Sequence, residues 1–426
     1  MAGTDDDGDD DDRDDSDSDG NNDELDIAIS GGSMGGLFAG LALRYADRPV
    51  DVDVFERSTG ELKGRGAGIV AQPAILDFLG SHDIARPRKL ITTTATREYL
   101  GRDGSVERAY EESMTFPSWD ALYRRLRDAF PDESYYTGRT TVGVDRGDDA
   151  PGRGGGDGRN GSGGGRDGGR EESGNGGTAT LRFEDGASIR ADLAVIAEGG
   201  RSTTRADLLP EVSPAYAGYV AWRGVTPEDA VPPAVREQCE DVFMFYEGPD
   251  DLILAYLIPG PDGGTGRGER RLNWVWYDSV EQGERERLMT DADGRTHALT
   301  VPPGKLRADV DEELLAAAGR RLPKVFADLV SATDGRFVET IYDLEVPRMV
   351  FGRVCLLGDC AFGARPHTAA GTAKAAADGT GLADALDACD ARNGVGAALD
   401  DWERDRLAAG RRLVARGQRM GENYMS

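Results

Sequence analysis

Residues 26–56 read Asp26-Ile-Ala-Ile-Ser30, Gly31-Gly32-Ser33-Met34-Gly35-Gly36, Leu37-Phe-Ala-Gly-Leu-Ala-Leu-Arg44 and, after a short polar turn, Val50-Asp-Val-Asp-Val-Phe-Glu56. The apolar run before the glycines suits a buried parallel strand, and so does the run ending at Glu56. Leu37, Leu41 and Ala42 recur at the spacing of one helix face. Strand, glycine turn, helix and strand in that order are the frame of a dinucleotide-binding unit. Gly31 takes the tight turn off the first strand, and Gly36 lets the helix pack close to it. Ser33 stands where the motif usually has a second glycine. It is small enough to let a pyrophosphate approach, and its hydroxyl can face a phosphate. The helix start adds unpaired N–H groups and the positive end of its dipole. Glu56 falls twenty positions after Gly36, where a carboxylate accepts hydrogen bonds from a ribose diol.

The chain has 426 residues, enough for a large core and two domains, and a formal net charge of −28. Residues 1–25 hold thirteen acids and one arginine, and the rest of the chain still carries −16. Lysine is confined to Lys63, Lys89, Lys305, Lys324 and Lys374, so arginine supplies most of the positive charge. Acidity spread along the chain repels nucleic acid and anionic membranes. It suits a protein kept soluble in concentrated salt, and a halophilic source is expected. Four cysteines, none in a C-x-x-C pair, and three histidines argue against a zinc site or a disulfide framework, so no metal is expected. No apolar run has the length of a membrane span and no signal peptide is visible, so the expected location is cytoplasmic.

Residues 1–24 form an Asp/Ser/Gly/Asn tract expected to be disordered. A Gly/Asp/Arg-rich run at about 147–177 lies between the strand-like stretches Thr140–Val144 and Ala179–Phe183, as a long hairpin insertion would. Gly64, Gly66 and Gly68 alternate with small residues and let a flat group approach the backbone; Val70, Gln72 and Pro73 follow. Lys89–Tyr110 alternates like antiparallel strands, and Ser118–Phe130 reads as a helix with Tyr123 and Arg124 near its start. The run Ala191–Ala197 ends in Glu198-Gly199, and Gly352–Leu357 ends in Gly358-Asp359, the strand ends at which such folds bind ligands. Between them, Val220–Gly224, Val242–Tyr246, Leu252–Ile258 and Arg271–Tyr277 are aromatic and β-branched runs that predict an antiparallel sheet able to line a pocket for a flat substrate. Leu306–Leu329 and Asp400–Arg419 read as helices. Pro366 precedes an Ala/Gly-rich helix start at Ala370-Gly371-Thr372, whose positive end stabilises negative charge on a bound ring.

Together these motifs resemble the class A FAD-dependent aromatic hydroxylases of the para-hydroxybenzoate hydroxylase type. The resemblance runs from about Leu25 to Ser426. It rests on Gly31–Gly36 with Glu56-Arg57, on Glu198-Gly199, and on Gly358-Asp359 followed by Arg365-Pro366. Ala217–Gly224, Leu272–Tyr277 and Arg365–Gly371 are most similar to the 2,6-dihydroxypyridine 3-monooxygenase branch. The resemblance implies an α/β fold: a Rossmann-like FAD-binding domain of the GR2 type, with an inserted, mainly antiparallel β-sheet substrate domain and C-terminal helices. The segments expected are the tail (1–24), a first FAD-binding part (25–205, with substrate-sheet strands within about 88–112), a substrate domain (206–345), and a second FAD-binding part with the closing helices (346–426).

By the same resemblance, Ser33, Met34, Glu56 and Arg57 hold the ADP half of FAD, and Asp359 bonds the ribityl chain. Pro366 and Ala370–Thr372 lie against the isoalloxazine. Val70, Gln72, Tyr123 and Arg124 are further cofactor candidates. Glu198 replaces the usual Asp of its motif. The implied reaction uses NADH or NADPH and molecular oxygen to hydroxylate a phenolic or hydroxylated N-heteroaromatic ring through a flavin C4a-hydroperoxide. A general base near the ring hydroxyl is needed, and His367 is the candidate; a histidine that merely caps its loop is the competing reading. Arg223 pairs with a substrate anion or sits in a surface ion pair. Two other functions remain open: an FAD-dependent oxidoreductase, dehydrogenase or epoxidase without ring hydroxylation, and a non-enzymatic acidic binding protein. A small aromatic substrate is the expected partner, and a homodimer is left open.

Overall fold

The computed structural model describes residues 24–60, 62, 68–84, 90–146, 177–249, 251–389 and 394–425. The acidic tract up to residue 23, the glycine-rich insertion over 147–176 and the loop residues Gly64–Ala67 lie outside the described residues. The chain begins β1 (Leu25–Ser30), α1 (Met34–Tyr45), β2 (Val50–Glu56), α2 (Pro73–Ser81), β3 (Ile91–Leu100), β4 (Val106–Pro117), α3 (Trp119–Ala129) and β5 (Tyr135–Thr137). Then come β6 (Thr141–Asp145), β7 (Ala179–Phe183), β8 (Ser188–Ala191), β9 (Leu193–Ile196) and α4 (Thr203–Leu208). The middle holds β10 (Ala215–Pro227), α5 (Pro233–Gln238), β11 (Val242–Glu247), β12 (Asp251–Ile258), β13 (Arg271–Ser279), α6 (Gln282–Leu288), β14 (Thr300–Val301), α7 (Ala308–Arg321), α8 (Lys324–Ser331) and β15 (Phe337–Glu345). The chain closes with β16 (Val350–Phe351), β17 (Val354–Leu356), β18 (Phe362–Gly363), α9 (Gly371–Asp387) and α10 (Val395–Tyr424).

One sheet has the order β16-β17-β9-β1-β2-β5. It is parallel except at the β16–β17 hairpin. Its central strands are buried on both faces, which is why they read as unbroken apolar runs. Helix α9 lies across α1 at close range: a Cβ at Gly379 would stand 2.8 Å from the Ala39 Cα. A small antiparallel sheet, β6-β7-β8, brackets the glycine-rich insertion.

The other large sheet runs β14-β15-β10-β13-β12-β11-β3-β4, with β18 paired to β15. It is antiparallel except where β11 meets β3. Its two faces have different jobs. One packs Trp222, Trp274 and Trp276 against α5, α7 and α8. The other gathers Tyr99, Phe116, Tyr219, Phe243, Phe245, Tyr256 and Tyr277 into an aromatic layer. This layer meets the first sheet's ligand edge, because Tyr277 packs on His367 with ring centroids 4.2 Å apart.

Two helices depart from the sequence expectation. Residues 306–329 form two helices, α7 and α8, because Pro323 forces Leu322 into extended backbone (ψ 151°). The closing helix runs from Val395 to Tyr424, beyond the expected Arg419, and its end is held by Tyr424 and Met425 packing on the aromatic layer.

Candidate active site

The glycine turn between β1 and α1 is a cradle from which side chains are sterically excluded. Gly31 has φ +107°, and a Cβ there would stand 2.5 Å from the Ala197 carbonyl oxygen. A Cβ at Gly36 would stand 1.8 Å from the Gly31 carbonyl oxygen, and one at Gly32 would stand 2.3 Å from the Tyr135 hydroxyl. Ser33 is the N-cap of α1, yet its side chain makes no capping bond and the first turn carries no acid. The positive end of α1 and the Ser33 hydroxyl are therefore available to an anion.

The turn opens on a cavity of about 290 Å³. Glu56 and Arg57 line one end, Gly31, Ser33 and Met34 the middle, and Gly358, Asp359, Gly371 and Thr372 the other end, with Glu198 and Gly199 on the flank. A carboxylate at each end with bare amides between suits an extended ligand made of a diol, a diphosphate and a polyol. Glu56 also shapes the turn, accepting from the Gly32 and Ser58 amides at 2.9 Å each. The Tyr135 hydroxyl donates to the Gly32 carbonyl at 2.7 Å, closing the same loop from the other side. Glu198 is engaged within the protein: it accepts from the hydroxyls of Ser30 (2.8 Å), Ser202 (2.6 Å) and Thr204 (2.7 Å).

Asp359 lines both this cavity and a second one of about 220 Å³ that also touches Pro366, Glu339 and Tyr342. The protein packed around Asp359 raises its carboxyl above the ordinary range, while Lys374 opposes that shift. The turn carrying Asp359 is clamped. Asp378 accepts from the Gly358 amide at 3.1 Å, and Lys374 donates to the Gly358 carbonyl at 2.9 Å and to Asp378 at 2.7 Å.

The remaining sequence candidates fall around this centre. Gly36 packs behind the cradle. Gln72 Nε2 donates to the Ala369 carbonyl at 2.9 Å, and Val70 packs against the aromatic layer. Ala370 is the buried N-cap of α9, directly after Ala369, which holds a left-handed φ of +51°. His367 lines neither cavity. It lies 2.9 Å from the Tyr219 hydroxyl, and burial, with the nearby Arg365, lowers its pKa to about 4. Arg223 is half-buried on the aromatic face in a 3.0 Å ion pair with Glu339. Tyr123 stacks on Trp119 below the cavity, and Arg124 pairs with Asp262 at 3.0 Å; neither lines the cleft.

Sequence reasoning missed Tyr135, Trp119, Arg139 and Arg201, of which the last three line the first cavity. Tyr135 and Arg139 lie in short segments with no motif of their own. The Lys374–Asp378 pair was detectable, being an i, i+4 couple in the first turns of a helix. Among the described residues no group of three or more His, Cys, Asp or Glu side chains is arranged to hold a metal. Among those residues no helix is long and apolar enough to cross a membrane.

Residues 216–343 match the family described as FAD binding domain-like. The chain is 33% identical over 405 residues to 2,6-dihydroxypyridine 3-monooxygenase of Paenarthrobacter nicotinovorans, covering 92% of this chain and 90% of the relative. It is 28% identical over 420 residues to 3-amino-4-hydroxybenzoate 2-monooxygenase of Streptomyces cremeus, covering 94% and 88%. The solved structure of 2,6-dihydroxypyridine-3-hydroxylase from Arthrobacter nicotinovorans superposes with a TM-score of 0.81 at 32% identity, over 94% of this chain and 93% of that one.

Proposed function

The chain belongs to the FAD-dependent aromatic-ring monooxygenases, and from that membership we propose that it hydroxylates a small ring of the hydroxylated N-heteroaromatic kind, close to 2,6-dihydroxypyridine. FAD is its cofactor, with NAD(P)H and molecular oxygen as co-substrates. The residues fit FAD: bare glycine amides and Ser33 at an uncapped helix start for the pyrophosphate, Glu56 for the ribose, and Asp359 for the ribityl chain. When bound, FAD supplies hydride acceptance from NAD(P)H and the activation of oxygen for transfer to the ring.

The protein's own part is to bind, orient and exclude water. The observation that carries the ring reading is the buried aromatic layer of the large sheet, closed against His367 beside Pro366. A flat ring placed there is shielded from water. Tyr219 and His367 form a hydrogen-bonded pair whose pKa values are moved apart, to about 12 and about 4. Near neutral pH the pair is uncharged. With the two pKa values so far apart, the proton stays on Tyr219 Oη, and the pair orients rather than relays. Arg223, fixed by Glu339, offers a permanent positive charge to an ionised ring oxygen.

A cytoplasmic setting rich in salt is part of the same reading, supported by the −28 net charge. The test is anaerobic bleaching of the bound flavin by NADPH and NADH in high salt, with and without 2,6-dihydroxypyridine, followed by product analysis in air. Faster bleaching with the ring present and a product one oxygen heavier are expected. Bleaching without any hydroxylated product from pyridine or phenol rings would return the protein to the reductase reading.

A further inference from the structure

Among the described residues, Asn273 buries two side-chain polar atoms, Oδ1 and Nδ2, and neither has a hydrogen-bond partner. Its exposure is 0%. A carboxamide taken out of water and left unpaired destabilises the folded chain, and buried polar groups are almost always satisfied. A residue that breaks this rule in the unliganded protein is a candidate for satisfaction by a ligand.

Its place in the fold says which ligand. On β13, Asn273 stands opposite Val225 of β10 and Tyr256 of β12. Strand alternation puts it on the same face as Val275 and Tyr277, the aromatic face. That face is approached from the cofactor side by His367, against Tyr277, and by Gly68, where a Cβ would stand 2.4 Å from the Tyr256 ring. Arg223, registered to Val275, is the diagonal neighbour of Asn273 on the same face, a separation of about 7 Å. A six-membered ring with an oxygen substituent can bridge that distance. The apolar layer thus holds one group that can give and take a hydrogen bond in the same plane, beside one fixed cation.

We propose that Asn273 selects the ring: Oδ1 accepts from a ring N–H while Nδ2 donates to the adjacent ring carbonyl, so that the preferred substrate is an N-heteroaromatic in its lactam form. A carbocyclic phenol has a single hydroxyl at any one edge. It can satisfy one of the two amide atoms and must leave the other unpaired, which is how such a site discriminates. The assignment rests on the ring-hydroxylase reading above and narrows its substrate class.

The test is equilibrium titration of the holoenzyme, followed by flavin absorbance, with 2,6-dihydroxypyridine and with resorcinol, its carbocyclic counterpart. The wild-type protein should favour the pyridine. In Asn273→Leu, which keeps the volume and removes both polar atoms, the ratio of the two affinities should fall about 10- to 100-fold, and the ligand-free protein should melt at a higher temperature. Asn273→Ala serves where the leucine variant does not retain flavin, with the same expected fall in the ratio. An unchanged ratio in the variant, or an equal loss for both rings, overturns the role of Asn273 and leaves the hydroxylase reading standing. A wild-type holoenzyme that binds and hydroxylates neither ring overturns both.

Discussion

Lys374 and Asp378 make a buried ion pair, with side-chain exposures of 7% and 2%, that grips the Gly358 turn at its amide and its carbonyl. Replacing Asp378 by Leu leaves the Lys374 ammonium in the interior without its counter-ion and the Gly358 amide without its acceptor. Removing one partner of such a pair costs about 3–5 kcal/mol. Replacing Lys374 by Met leaves Asp378 with the Gly358 amide and with Arg406 at 3.9 Å, so the loss should fall at the lower end of that range. The double variant, Lys374→Met with Asp378→Leu, removes both charges of the pair and should be more stable than Asp378→Leu alone, since apolar replacement of a whole buried pair is often close to neutral. Urea unfolding of the flavin-free proteins in high salt measures all three. Flavin titration provides a second readout, because a loosened turn no longer presents Asp359, and each single variant should bind FAD more weakly. The reasoning is refuted if Asp378→Leu costs less than about 1 kcal/mol, or if the double variant loses the sum of the two single losses.

Gly36→Ala should abolish flavin binding or folding, because its methyl would collide with the Gly31 carbonyl at 1.8 Å; soluble protein with a normal flavin complement would contradict the close packing. Ala369→Gly should stabilise the flavin-free protein by about 1 kcal/mol, since Ala369 holds φ +51°, and a lowered melting temperature would count against it. His367 has a folded pKa of about 4 against 6.5 for the free side chain. Its proton therefore binds the unfolded chain first, so stability is full above pH 6.5 and falls as the pH drops toward about 4, by about 3 kcal/mol in all. His367→Gln should lack that component of the acid-side slope in urea midpoints measured from pH 7 to pH 4, and identical slopes in the two proteins would place the titration elsewhere.

The parts of the site that were legible in the sequence are those whose physics is local. Gly31, Gly36 and Glu56 lie within one strand–turn–helix–strand unit, so chain geometry alone brings them together. Asp359 and Gly371 follow a second strand by the same logic. Residues whose role depends on distant partners were not legible. The Glu198 carboxylate is occupied by Ser30, 168 positions earlier, and no spacing rule announces that. Tyr123 and Arg124 lie near the start of an amphipathic helix, and position there alone suggests a reach toward the cofactor. The fold instead turns Tyr123 inward onto Trp119 and sends Arg124 to a loop of the large sheet. The break at Pro323 is legible in the sequence, for proline disfavours helix in the residue before it. Asn273 shows the deeper limit. It lies between Leu272 and Trp274, and β13 is buried on both faces. Alternation there separates two buried layers, not inside from outside. The sequence therefore cannot say whether an asparagine in that strand faces the helices or the aromatic layer. The register with Tyr256 and Val225 decides it, and only with that register known does an unpaired carboxamide become evidence about the ring that binds.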